Sequence, residues 1–272
     1  MTEARPRPLL AVDKLEVVYQ RAITALEGIS LSVAPGQIVG ILGSNGAGKS
    51  TLLRAISGFH GLDDARITDG SIAFEGQPLT HAAPHDSTRA GIVLVPERVK
   101  VFANLTVAEN LLVPVAVRLG RAEQRRREAL VYDFFPPLAA LRQRTAGLLS
   151  GGERQMLAIA AALVCHPKLL LVDELSLGLA PVVVADLLQR LLAIRNALSL
   201  TLVIVEQNAA LTLGVIDHGY ILENGRIVLD GSATRLAEHP DVAEFYLGRS
   251  ASGQRRSYRE VKQYRRNRRW YG

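Results

Sequence analysis

Residues 43 to 51, Gly43-Ser44-Asn45-Gly46-Ala47-Gly48-Lys49-Ser50-Thr51, fit the pattern G-x-x-x-x-G-K-[ST]. Glycines let successive backbone N–H groups turn inward onto phosphate oxygens, and a helix starting at the loop adds its positive end. Lys49 is long enough to reach β and γ phosphates, and the Ser50 hydroxyl is a ligand for Mg²⁺. A merely flexible Gly/Ser turn would seldom set a lysine and a hydroxyl between strand and helix signals. A second group is Asp173-Glu174, which ends the apolar run Leu169-Leu170-Leu171-Val172. Carboxylates at the carboxyl end of a parallel strand sit where α/β sheets bind ligands. Asp173 suits Mg²⁺, directly or through water, and Glu174 suits positioning of an attacking water. A third group, Leu149-Ser150-Gly151-Gly152-Glu153-Arg154-Gln155, opens a helix with Ser150 as N-cap candidate. Its glycines leave N–H groups accessible, a second anion-binding helix start, although local chemistry by itself favours plain capping.

The elements that must hold these groups follow from periodicity. Leu15 to Tyr19 and Ile29 to Val33 alternate as half-buried strands, and Pro35-Gly36 marks a turn. Ile38-Val39-Gly40-Ile41-Leu42 is a continuous apolar run, as expected of a strand covered on both faces. After the loop, Leu52, Leu53 and Ile56 keep helical spacing and Gly58 is a helix stop. Ser71 to Phe74 is a further strand. Val107 to Leu119, with Pro114 as kink or break, Ala122 to Phe134, and Met156 to Val164 are helices, so residues 85–165 form a mostly helical insert. Buried-type strands return at Leu169 to Val172 and Thr201 to Val205. Between them Pro181 opens a helix whose Val184, Leu187, Leu188, Leu191 and Ile194 face one way. Tyr220 to Leu222, an Asn224-Gly225 turn and Ile227 to Leu229 form a hairpin.

The combination of a phosphate loop, Leu-Ser-Gly-Gly-x-x-Gln and a strand ending Asp-Glu resembles the ATP-binding-cassette (ABC) ATPases over nearly all of residues 9–248. The resemblance implies an α/β P-loop NTPase core with an N-terminal antiparallel β subdomain and a helical signature subdomain. It implies ATP hydrolysis with ATP and Mg²⁺, in a head-to-tail dimer with two ATP molecules at its interface. Each ATP would contact the phosphate loop of one subunit and the Ser150, Gly151 and Gly152 equivalents of the other. By position, Tyr19 matches the aromatic that stacks on adenine, and an ordinary strand tyrosine is its bland alternative. Leu94-Val95-Pro96-Glu97-Arg98 matches the loop that usually supplies a glutamine to Mg²⁺ and water. Glu97 is still a good oxygen ligand but adds negative charge. Val205-Glu206-Gln207-Asn208 matches the segment usually carrying a γ-phosphate-sensing histidine, and Gln207 can donate a hydrogen bond there but cannot take a proton. Ser176-Leu177-Gly178-Leu179 fills the loop that crosses to the dimer partner.

These departures, with Leu175 where proline is usual and Phe245-Tyr246-Leu247-Gly248 at the end of the body, look like the second ATPase subunit of branched-chain amino-acid importers. That resemblance implies two different ATPases (a homodimer being the other arrangement) under polytopic permease subunits fed by a substrate-binding protein. The chain would then lie peripherally on the cytoplasmic face of the inner (plasma) membrane. The subfamily also moves other amino acids, amides and small organic acids.

Composition sets bounds on these readings. With 272 residues, 48% apolar and 21% charged, wholesale disorder, collagen and a disulfide scaffold are excluded. The single Cys165 allows neither an internal disulfide nor a cysteine zinc cluster. No apolar run approaches the roughly 20 residues of a membrane-spanning helix. The N-terminus has no apolar signal core, so the simplest compartment is the cytoplasm.

The net charge of +6 is misleading, because residues 251–272 carry +7 and residues 1–250 carry −1. The tail, 249–272, interleaves Arg255 to Arg269 with Tyr258 and Tyr264 and ends Trp270-Tyr271. It suits a solvated extension, anionic headgroups or a partner subunit, and less well nucleic acid. A soluble cassette ATPase acting on nucleic acid or ribosomes through this tail is therefore the competing reading. A regulatory module that binds ATP without turnover, prompted by Glu97 and Gln207, is a third.

Overall fold

The computed structural model describes residues 7–98, 100–115 and 119–245. The basic tail and Tyr246-Leu247-Gly248 lie outside these residues. The chain begins with β1 (Leu10–Tyr19) and β2 (Ile23–Val33), then β3 (Ile38–Leu42) and α1 (Lys49–Ile56). β4 (Ala65–Phe74), β5 (Gln77–Pro78), α2 (Pro84–Ala90) and β6 (Ile92–Val95) follow. A run of helices comes next: α3 (Val107–Leu112), α4 (Arg121–Phe134), α5 (Pro136–Ala140) and α6 (Gly151–Val164). The chain then alternates through β7 (Leu169–Asp173), α7 (Pro181–Leu198), β8 (Thr201–Glu206) and α8 (Ala209–Thr212). It closes with the hairpin β9 (His218–Glu223) and β10 (Arg226–Ser232), and helices α9 (Ala233–Glu238) and α10 (Pro240–Phe245).

Two sheets result. One is antiparallel in the order β2-β1-β4-β5, and the other runs β10-β9-β3-β8-β7-β6, parallel except for the β9–β10 hairpin. The continuous apolar runs are explained by burial on both faces. Leu170 and Val172 of β7 and Leu202 and Ile204 of β8 point into a core shared with α6 and α7. Their neighbours Leu169, Leu171, Val203 and Val205 point into a second core shared with α1 and the antiparallel sheet. Side chains alternate across a strand, so a sheet sandwiched between layers needs apolar residues at every position. Truncating one of these leucines to alanine costs about 2–5 kcal/mol.

Several elements differ from their sequence outlines. β1 and β2 are longer than Leu15 to Tyr19 and Ile29 to Val33, because register shifts near Leu15 and Val17 break the alternation without breaking the pairing. Helix α3 stops at Leu112, two residues before Pro114, where the ring forbids another helical hydrogen bond. The segment read as a helical insert over 85–165 also contains β6, which pairs in parallel with β7 inside the main sheet. Its four residues, Ile92-Val93-Leu94-Val95, are too few to declare a period. Pro181 takes the first turn of α7, and Asn224 and Gly225 have φ of 46° and 74°, as a two-residue hairpin turn requires.

Candidate functional site

The loop from Gly43 to Gly48 joins the carboxyl end of β3 to α1. A Cβ at Gly43 would lie 2.3 Å from the Leu222 carbonyl oxygen, so β9 and the loop can touch only through glycine. Gly48 has φ of 105° and caps α1, and a Cβ there would meet Leu26 and the Ala25 carbonyl at under 3 Å. No side chain caps α1, and its first turn holds no acid. That helix start is thus prepared for an external anion.

Lys49 is buried and its ammonium is turned back on the loop. Nζ donates to the Gly43 carbonyl at 2.9 Å and the Ser44 carbonyl at 3.1 Å, and lies 3.1 Å from Glu174 Oε1. Three acceptors thus match its three protons. Ser50 Oγ donates to Asp173 Oδ1 at 3.2 Å, which ties the phosphate loop to the end of β7. Asp173 is 4% exposed. Burial first, then the charges of Glu174 and Glu97, push its carboxyl up to about 6, against the pull of Ser50 and Lys49. Glu174 follows in a left-handed conformation with φ of 47°, uncommon for a side-chain-bearing residue. Its N–H donates to the Val205 carbonyl.

Glu97 follows β6 and its Oε1 accepts from Arg98 Nε at 3.1 Å, while its charge reaches Asp173 and Lys100. Tyr19 is half-buried with its hydroxyl 3.3 Å from Thr51 Oγ1. Ser44, Asn45 and Gly46 are exposed and Ala47 is buried at the loop's turn. Gln207 is exposed immediately after β8, and Asn208 beside it caps α8 by accepting from the Ala210 N–H. Lys49, Ser50, Asp173, Glu174 and Glu97 therefore form one cluster.

Ser150, Gly151 and Gly152 lie on α6. Ser150 Oγ accepts from the Glu153 N–H and Glu153 accepts from the Ser150 N–H, a complete capping box. The N–H groups of Gly151 and Gly152 have no acceptor within the helix. Cβ atoms on these two glycines would press on the side chains of Leu179 and Val183, so glycine gives the closest approach of α6 to the start of α7.

Glu206, Ser176, Lys100 and Gln155 hold places in the site for which the sequence patterns assign them no role. Glu206 ends β8 at 2% exposure and accepts from both the Ser176 N–H (2.8 Å) and the Ser176 hydroxyl (2.7 Å). Burial raises its carboxyl above the usual range and the Ser176 bonds pull it back. A carboxylate closing an apolar strand was the available signal. Lys100 Nζ donates to Gln155 Oε1 of α6. Burial lowers that ammonium's affinity for its proton, and Asp173, Glu97, Glu206 and Glu174 raise it again. Nothing in the local sequence around Lys100 marks it.

A glycine loop between a buried parallel strand and an uncapped helix, with a lysine, a hydroxyl and two strand-end carboxylates converging on it, defines a P-loop nucleotide-binding ATPase. The ABC transporter family matches residues 26–176. The chain is 40% identical over 240 residues to the high-affinity branched-chain amino acid transport ATP-binding protein BraG of Pseudomonas aeruginosa, covering 88% of this chain and all of that one. It is 37% identical to the probable branched-chain amino acid transport ATP-binding protein LivF of Archaeoglobus fulgidus, covering 88% of this chain and 99% of that one. The solved ADP conformation of an ATP-binding cassette of an ABC transporter superposes with a TM-score of 0.78 at 29% identity, covering 89% of this chain and all of that one. This chain belongs to the ABC transporter family, and it is an ATPase of that family. Among the described residues no helix is long and apolar enough to cross a membrane.

Proposed function

We propose that this chain hydrolyses ATP as a peripheral subunit of a membrane importer for branched-chain or related amino acids or small organic acids. The observation that carries this reading is its likeness to BraG and LivF over 88% of this chain and nearly all of theirs, and their names give that transport. The cluster built around Lys49 and Asp173 supports the chemistry.

The residues divide the work as follows. The Gly43–Thr51 loop and the start of α1 cradle the phosphates, and Lys49 exchanges its loop carbonyls for β and γ oxygens. Ser50 and Asp173, with Glu97, are the oxygen donors fitted to Mg²⁺. When bound, that ion would supply positive charge to offset the negative charge that develops during phosphoryl transfer. Glu174, held at the strand end, orients the attacking water. Gln207 donates a hydrogen bond towards the γ-phosphate, and Tyr19 stacks on the adenine. Ser150, Gly151 and Gly152 face the nucleotide of a second ABC ATPase, so that the oxyanion charge is met by both subunits. Polytopic permease subunits are the partners that ATP-driven closure would move, with a substrate-binding protein upstream. The cytoplasmic face of the inner membrane is the matching location.

The experiment is a pull-down of the tagged chain from detergent-solubilised native membranes, with partners identified by mass spectrometry. A second cassette ATPase together with polytopic proteins is the expected recovery. Ribosomal or nucleic-acid proteins with no membrane protein would overturn the importer reading.

A further inference from the structure

Four carboxylates, Asp173, Glu174, Glu97 and Glu206, gather at the ends of β6, β7 and β8, and three of them are buried. Lys49 answers part of that charge, but its protons are committed to Gly43, Ser44 and Glu174. Among the described residues, Lys100 is a second cation in the cluster, and the charges of all four carboxylates act on it. Its position is built. Gln155 Oε1, on a side chain 3% exposed, accepts from its Nζ. Asn110 accepts from the N–H of Phe102, two residues beyond Lys100, and donates to the carbonyls of Phe102, Leu105 and Thr106, which pins the loop that carries the lysine. That one loop therefore brings a carboxylate fitted to a metal, Glu97, and an ammonium that repels a metal, Lys100.

We infer that Lys100, anchored by Gln155, is a built-in counter-cation of the carboxylate cluster. It stands in for the divalent ion in the nucleotide-free protein and opposes metal binding until nucleotide arrives. Lys100 is thus a positioning residue. It balances the carboxylates through its charge, and its hydrogen bond links the metal-binding end of the sheet to α6, whose N-cap is Ser150. The inference rests on the metal placement proposed above.

The test is Mn²⁺ binding to the full-length, nucleotide-free protein, followed by the electron paramagnetic resonance signal of free Mn²⁺. Wild type is expected to bind weakly. Lys100→Gln removes a full positive charge whose field acts on all four carboxylates, and should tighten binding by about tenfold or more. Lys100→Arg should behave as wild type. Gln155→Leu keeps the charge but removes its anchor, and should tighten binding in the same direction, which gives a reading even where Lys100→Gln folds poorly. Unchanged Mn²⁺ affinity in Lys100→Gln or Gln155→Leu overturns the inference. Asp173→Asn separates it from the underlying placement. If Asp173→Asn abolishes Mn²⁺ binding while Lys100→Gln changes nothing, the placement stands and the counter-cation role falls. If the gain from Lys100→Gln survives in the Asp173→Asn background, both fall.

Discussion

Lys49 Nζ lies 3.1 Å from Glu174 Oε1, so the residue that would hold phosphates and the residue that would orient water are paired with each other. Both are buried, and a buried partner left alone is costly. On the roles proposed above, nucleotide would break this pair as well as the loop-carbonyl bonds, and the event that recruits the ammonium would release the carboxylate for its own task.

Glu174→Gln keeps a hydrogen-bond acceptor for Lys49 but loses the charge that aligns water. Its nucleotide affinity should stay within about threefold of wild type, while turnover falls by about 10²–10⁴. Lys49→Ala should instead lose binding and turnover together. Fluorescent-nucleotide titration and phosphate release measure the two quantities separately.

Asp173 gives a pH dependence. Its carboxyl keeps its proton up to about 6 when folded, but only to about 4 when unfolded. Between those values the folded state binds more protons, so stability falls as pH rises through the window. The full cost at pH 7 is at most about 3 kcal/mol. Asp173→Asn, which still accepts from Ser50, should therefore melt above wild type without nucleotide at pH 7. The difference should vanish near pH 4. The same substitution should weaken Mg²⁺-dependent nucleotide binding, which in wild type should itself decline below about pH 6.

Ser150 separates capping from ligand contact. Losing the cap costs about 1 kcal/mol of stability. Ser150→Ala should cost that much in a denaturant melt. In the assembled complex it should also lower ATP hydrolysis by tenfold or more, as loss of an oxyanion donor does. A stability loss with unchanged hydrolysis would leave Ser150 as a cap alone.

Tyr19 gives a separate measure of base stacking, worth about 1–3 kcal/mol for an aromatic under a base. Tyr19→Phe forfeits the contact to Thr51 and should bind nucleotide nearly as wild type. Tyr19→Leu should bind about tenfold more weakly. Equal loss in both variants would make the hydroxyl, not the ring, the active part.

What the sequence made legible was local. Lys49 and Ser50 open α1 directly after the glycine loop, and Asp173 and Glu174 are adjacent, so spacing alone carried their chemistry. The apolar runs of β3, β7 and β8 were legible because both faces are buried. Glu206 and Ser176 are 30 residues apart, and Lys100 and Gln155 are 55 apart. Their pairing is made by the parallel order of β6, β7 and β8 and by the packing of α6, which no short window contains. β4 was visible only from Ser71 to Phe74, because Thr68, Asp69 and Gly70 interrupt its pattern while its pairing with β1 continues through Asp69. Glu97 and Gln207 could be placed by likeness, but their neighbours could not. Arg98 and Lys100 surround the first, and Glu206, not Gln207, is the buried member of its segment.

The most direct measurement is uptake of radiolabelled leucine in cells from which this chain has been deleted, complemented with wild type or Glu174→Gln. The account predicts that uptake is lost on deletion, returns with wild type, and stays absent with Glu174→Gln although that variant reaches the membrane. Uptake of leucine, isoleucine, valine, other amino acids and small organic acids that is unaffected by deletion, or restored equally by both forms, would contradict it.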